Sequence, residues 1–179
     1  MKKSFVLASV LFFVMTNAQV VTEVQSASSV SRWTFGGGAS LGFSGGSSGT
    51  GTTIGISPRV GYLLTQDFEM GLAGGFSWGN SKYYSSTMLN VGPFANYYIS
   101  RNFFIGAMFQ EYFFTQKDKY YDAKYSGDEA AVYLGAGYLQ NVGNHLYIQI
   151  GAMYNVLYDK NKSVFGSGFV PNFGIVYGL

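Results

Sequence analysis

The chain has 179 residues, with 11 lysines and arginines against 9 aspartates and glutamates, and no cysteine. The missing cysteines exclude a disulfide framework and any cysteine-ligated metal site. Charged residues make up only 11%, against about 25% in ordinary globular domains, and nothing in the sequence suggests a nucleic-acid partner, which would need a clustered basic face.

Taken in order, the chain opens on Lys2 and Lys3, an apolar run from Phe5 to Met15 and the small-residue site Thr16-Asn17-Ala18. This reads as a secretory signal peptide over residues 1–18, cleaved before Gln19. The apolar run is too short for a spanning helix, which needs about 20 residues. Without the two lysines, basic and acidic residues balance and the mature chain is formally neutral. Residues 19–31 are polar, serine-rich and aperiodic, so they read as a flexible lead-in on the periplasmic side. Residues 32–179 form a single barrel-sized domain.

From Arg32 onward, segments with a period of two are separated by connections that are long and short in turn. The first segment, Arg32–Ser44, carries Trp33, Phe35, Ala39, Leu41 and Phe43 on one face and Thr34, Gly36, Gly38, Ser40 and Gly42 on the other. A Gly/Ser loop, 45–52, leads to Thr53–Leu64, with Ile54, Ile56, Val60 and Tyr62 outward and Ser57, Arg59 and Gly61 inward. After a tight turn at 65–67, Phe68–Trp78 places Phe68, Met70, Leu72, Phe76 and Trp78 outward and Glu69, Gly71, Ala73 and Ser77 inward. A long loop is expected over 79–87. Met88–Ile99 then turns Leu89, Val91, Tyr97 and Ile99 outward and Asn90, Phe94, Asn96 and Tyr98 inward.

A second tight turn, 100–102, precedes Phe103–Phe114, with Phe103, Ile105, Ala107 and Phe109 outward and Met108, Gln110 and Tyr112 inward. The longest loop is expected at 115–128. Two more segments follow, Glu129–Leu139 and His145–Leu157, joined by a short turn at 140–144, with Tyr133 and Gln149 facing inward. A last long loop, 158–167, leads to the closing segment, Gly168–Leu179. There Phe169, Pro171, Phe173, Ile175, Tyr177 and Leu179 alternate with small or polar residues.

Eight segments of roughly the 9–11 residues that a tilted membrane strand needs predict an all-β fold. The expected architecture is an eight-stranded antiparallel up-and-down transmembrane β-barrel behind an N-terminal signal peptide. By this phasing no lysine, arginine, aspartate or glutamate lies mid-strand on the outward face, where a lysine or arginine costs about 2–4 kcal/mol at the bilayer midplane. Outward aromatics gather toward the two ends of the strands, as interfacial rings do. A soluble barrel would show the opposite polarity, apolar inside and polar outside. Short turns are expected to be periplasmic and long loops extracellular, which puts both termini in the periplasm. Pro58, Pro93 and Pro171 all fall on the outward face, and each costs the ladder a hydrogen bond.

With these residues in view, the chain resembles the small eight-stranded outer-membrane barrels of the OmpX and OmpA-transmembrane-domain type, the outer membrane β-barrel domain family of Gram-negative bacteria. The resemblance covers Arg32 to Leu179. Its most specific piece is the ending, where Asn172, Gly174, Tyr177 and Leu179 match that family's terminal insertion signal, with Leu179 in place of the usual phenylalanine. The resemblance implies the barrel-assembly machinery and periplasmic chaperones as transient partners. It implies outer-membrane lipid and lipopolysaccharide as surroundings.

The candidate sites follow from the phasing. Arg59 and Glu69 are inward charges, expected to belong to a lumen polar network with Asn90, Asn96, Gln110 and Gln149, because isolated charges inside a bilayer are costly. Register puts Glu69 opposite Leu63 and Arg59 further along, so direct contact between the two is not required. Lys117, Lys119, Tyr120, Tyr121, Lys124 and Tyr125 are candidate loop contacts, since mixed charge with tyrosine suits recognition of an extracellular protein or glycan. The glycine-rich string at 36–46 lacks the following helix that a phosphate loop needs. His145 is the sole histidine and has no triad partners near it in sequence. No metal ligand set, cofactor site or nucleic-acid site is expected, and no enzymatic activity. The expected role is structural or surface interaction through the loops. A narrow channel through the lumen is the alternative, and a lipid-modifying enzyme the weaker one.

Overall fold

A computed structural model describes residues 32–44, 51–120 and 123–179. The expected signal peptide, the lead-in, most of the first loop, Tyr121 and the side chain of Phe43 lie outside the described residues. Within them the chain forms eight strands: β1 (Trp33–Ser44), β2 (Gly51–Leu63), β3 (Phe68–Ser81), β4 (Tyr84–Ile99), β5 (Phe103–Asp118), β6 (Lys124–Gly143), β7 (Leu146–Asn155) and β8 (Phe169–Tyr177). Each pairs antiparallel with the next, and β8 returns to β1, closing the barrel. The expected fold is the fold found.

Alternation of side chains across a pleated strand sets the two faces as the sequence pattern requires. Leu72, midway along the outward row of β3, is 53% exposed, while Glu69 on the inward row of the same strand is 0% exposed. The same inversion runs around the barrel, with Ile56, Leu89, Ile105, Leu134, Ile150 and Ile175 exposed and Asn96, Gln110, Gln149 and Asn155 buried.

Several boundaries differ from expectation. The long loop expected at 79–87 is a tight turn at Lys82–Tyr83, because β3 runs on to Ser81 and β4 starts at Tyr84. The loop expected at 115–128 is mostly strand as well, so Lys117 lies on β5, and Lys124 and Tyr125 lie on β6. The pairings Lys117↔Lys124 and Gln116↔Tyr125 continue the ladder. Beyond the rim of a barrel both strand faces meet water, so hydrophobic alternation disappears while backbone pairing continues. At the other end, β6 reaches Gly143 and β7 starts at Leu146, with a register shift between Asn141 and Gly143.

Two further corrections concern faces. Glu111 shares the outward row of β5 with Ile105 and Phe113, so the outward face is not free of acids. It stands toward the loop end, between Phe109 and Phe113, and the cost of a charge on a lipid-facing row falls away from the midplane. Leu179 leaves the outward row altogether. β8 ends at Tyr177, Gly178 bends the chain at φ +96° in a region L side chains rarely adopt, and Leu179 turns inward, only 7% exposed.

The prolines now have a physical account. The β2–β3 ladder is interrupted at Ser57–Pro58 and the β4–β5 ladder at Gly92–Pro93, so the cost of each missing N–H is confined to one side of its strand. Pro171 keeps its place beside β7, while β8 pairs with β1 only over Ile175–Tyr177.

Candidate functional site

The lumen is organised around Glu69. Its carboxylate accepts hydrogen bonds from the hydroxyls of Thr34 and Tyr98 and, at 3.0 Å, from the Asn96 amide. The Arg59 guanidinium completes the set, with Nη2 at 3.0 Å from Oε2 and 3.2 Å from Oε1. Four strands therefore supply donors to or carry one fully buried carboxylate. A buried charge is tolerable when it is paired and its remaining lone pairs are satisfied.

Arg59 reaches this position because its neighbours are small. It faces Gly36 on β1 and Ala73 on β3, and a Cβ at Gly36 would stand 3.3 Å from Arg59 Nε. A Cβ at Gly61 would run into the Glu69 carboxyl group and the Thr34 hydroxyl. The guanidinium also donates to Gln149 Oε1 at 3.3 Å and to the Tyr98 hydroxyl at 3.1 Å, and its carbon lies 4.8 Å from the centroid of the Phe94 ring. The ion pair that register alone did not require is thus made diagonally, by the length of the arginine.

The six network residues expected from sequence fall into two groups. Arg59, Glu69, Asn96 and Gln149 join one another. Asn90 and Gln110 form a separate pair at 2.6 Å nearer the loop end, where Gln110 also donates to the carbonyls of Ala73 and Gly92. Thr34, Tyr98 and Phe94 were legible only as inward positions. Their joining to Glu69 and Arg59 depends on relative strand heights, which no sequence pattern reports.

Below the ion pair, the turn end of the lumen is filled by Tyr98, Phe104, Leu139, Tyr147, Val176 and Leu179, with Leu63 against them. Of the terminal residues expected as an insertion signal, Tyr177 is outward and pairs with Phe35 and Leu146. Asn172 and Gly174 face inward, the former donating to Met153 Sδ at 3.6 Å. Leu179 belongs to this apolar floor.

The loop end is built differently. Ser40, Thr53 and Ser57 occupy inward positions on β1 and β2 yet are exposed. Across from them Tyr112 and Tyr133 share a hydroxyl–hydroxyl bond of 3.0 Å, and Phe165 packs edge-on to Tyr112 with centroids 4.7 Å apart. Ser163 Oγ and the Val164 N–H hold Glu129 at 2.6 and 2.8 Å, fastening the last loop to β6.

Above the rim, β3–β6 rise as a wall. Its two hairpins are clasped together: Lys119 donates from Nζ to Asn80 Oδ1 at 2.6 Å and to the Ser81 carbonyl at 2.7 Å, and its N–H donates to the Tyr83 carbonyl at 2.8 Å. Tyr83 and Tyr120 stack at 5.7 Å, and Lys82 lies over Tyr83 at 5.4 Å. Of the candidate contacts, Tyr120 and Tyr125 are highly exposed, whereas the Lys119 ammonium is spent on the clasp. β6 pairs with β7 only up to Tyr133, so from Val132 to Lys124 its partner strand is β5.

Comparison with solved structures returns transmembrane barrels. A de novo designed transmembrane β-barrel is 16% identical over 83% of this chain and 97% of that one, with a TM-score of 0.42. The outer membrane protein Ail of Yersinia pestis is 14% identical over 81% and 97%, with a TM-score of 0.43. The transport unit of the autotransporter AIDA-I from Escherichia coli is 17% identical over 90% of this chain and 61% of that one, with a TM-score of 0.40. No protein-family model and no curated protein sequence matches the chain.

Proposed function

We propose that this chain is an integral outer-membrane barrel whose lumen is sealed and whose working surface is the wall at its loop end. The observation that carries the reading is the inverted polarity of a closed barrel. A belt of exposed Leu, Ile, Val and Phe surrounds an interior of buried Glu, Gln, Asn and Thr. Water would penalise such a belt, and a bilayer accepts it. The apolar floor and the Arg59–Glu69 network above it favour a structural and contact role over solute passage. The turn end is taken to be periplasmic and the wall extracellular, where it would meet a protein or glycan. Lipopolysaccharide would surround the outward row, and assembly would use the periplasmic chaperones and the barrel-assembly machinery. The barrel is proposed to act by contact rather than by catalysis.

The two tryptophans provide the test, because Trp33 and Trp78 stand on the outward face at opposite ends of the belt. The protein refolded into vesicles of brominated lipid should lose fluorescence from both. Unquenched tryptophans would overturn the membrane reading. In a planar bilayer the inserted protein should be electrically silent, and discrete openings altered by Arg59→Ala would establish the channel alternative instead. Replacing residues 117–124 by a two-residue turn should leave insertion intact and abolish surface binding.

A further inference from the structure

A separate site lies at the turn end, outside the lumen network and the loop-end wall. Leu139 of β6 donates its N–H to the Asn102 carbonyl at 2.6 Å, which brings the turn between β4 and β5 against the base of the β6–β7 hairpin. There an open cavity of about 400 Å³ has Arg101, Asn141, Asn144 and His145 in its lining, with Tyr147 and Leu179 at its floor. That volume is in the range of small-molecule sites, roughly 300–1,000 Å³. The side chains of the lining include a guanidinium, an imidazole and two carboxamides. Arg101 and His145 are exposed, and neither side chain forms a hydrogen bond or an ion pair among the described residues.

The backbone supplies a second, independent observation. Arg101 and His145 hold left-handed conformations, with φ of 56° and 58°, as does Ser100 in the same turn as Arg101, with φ of 51°. Asparagine and glycine enter that region more easily, and tight hairpin turns favour them. Arg101 and His145 therefore stand in positions where stability alone would select other residues. Non-glycine residues held in such conformations cluster at binding sites, where surrounding structure over-determines them. The carboxamide of Asn141 is already oriented, since its Oδ1 accepts the Gly143 N–H at 3.1 Å, which leaves its NH₂ group as a donor.

We infer that this cavity is an oxyanion site. It takes a phosphate or carboxylate group carried by a small molecule or a lipid headgroup. The planar Arg101 guanidinium offers two parallel N–H donors to such a group, and His145 and Asn141 offer donors from the opposite turn. The site does not depend on which side of a membrane the turn end faces.

The test uses the ¹⁵N-labelled protein refolded in octyl glucoside, a detergent without phosphate, and titrated with inorganic phosphate. Saturable amide shifts should be confined to residues 100–102 and 141–146. Arg101→Asn and His145→Asn suit the left-handed turns and should each weaken binding about ten-fold, the scale of a lost charge-assisted contact. Arg32→Gln, outside the lining, should leave it unchanged. Heat-modifiable gel migration verifies that each variant is folded, and the unsubstituted protein alone suffices for the titration. In phosphatidylcholine nanodiscs, cavity shifts present before any phosphate is added would identify a lipid headgroup as the source. Shifts appearing only on addition would identify a free ligand. No saturable shift in either medium, or equal binding by all three variants, would overturn the inference.

Discussion

The two ends of the lumen are lined by the same alternation of eight strands and yet behave as opposites. At the turn end, inward positions carry Tyr98, Phe104, Leu139, Tyr147 and Val176, with Leu179 folded in beneath, and all are buried. From mid-strand to the loop end, on β1 and β2, inward positions carry Ser40, Thr53 and Ser57, and all are exposed although they point into the barrel. An eight-stranded barrel has an interior that side chains can just fill, so side-chain size along each inward row decides whether that level is sealed or wet. This barrel is filled with apolar side chains from one end, and the Arg59–Glu69 network marks the level at which apolar filling gives way to polar filling.

The largest expected effect comes from breaking that boundary. Glu69→Ala leaves the Arg59 guanidinium buried without its partner, which should cost about 3–5 kcal/mol of stability, read from the urea midpoint of the refolded barrel. A loss below 1 kcal/mol would mean that water already reaches Arg59 and that the turn end is not sealed. A fully apolar position beneath it comes next. Leu139→Ala, at a side chain with no exposure, should cost about 2–5 kcal/mol, the range for buried leucine. Ser57→Ala, one inward position from Arg59 toward the loop end, should stay within about 0.5 kcal/mol, as exposed substitutions do. If Ser57→Ala destabilised as much as Leu139→Ala, the contrast between the two ends would be false.

What was legible in advance follows from how many residues a physical signal spans. The period of two over whole strands identified nearly all the outward and inward rows, since one buried and one lipid-like face leave a repeated mark. The signal failed where one face lost its distinct solvent. Lys117, Lys124 and Tyr125 looked like loop residues because water bathes both sides of the sheet there, although the ladder through Gln116↔Tyr125 continues unbroken. It also failed at single residues. Glu111 sits in an apolar row near its end, and Leu179 continues the alternation in sequence while departing from it in space.

Composition and periodicity by themselves determined the class of architecture, the number of strands and the placing of Arg59 and Glu69 inside. Those features depend on free-energy differences repeated along many residues, and a repeated difference survives any one exception. Only the closed tertiary structure decided that Arg59 reaches Glu69, that Asn90 and Gln110 stand apart from them, and that Gly178 turns Leu179 into the floor. These outcomes depend on the relative heights of strands and on which inward side chains leave room, and both are properties of the barrel once closed rather than of any segment within it.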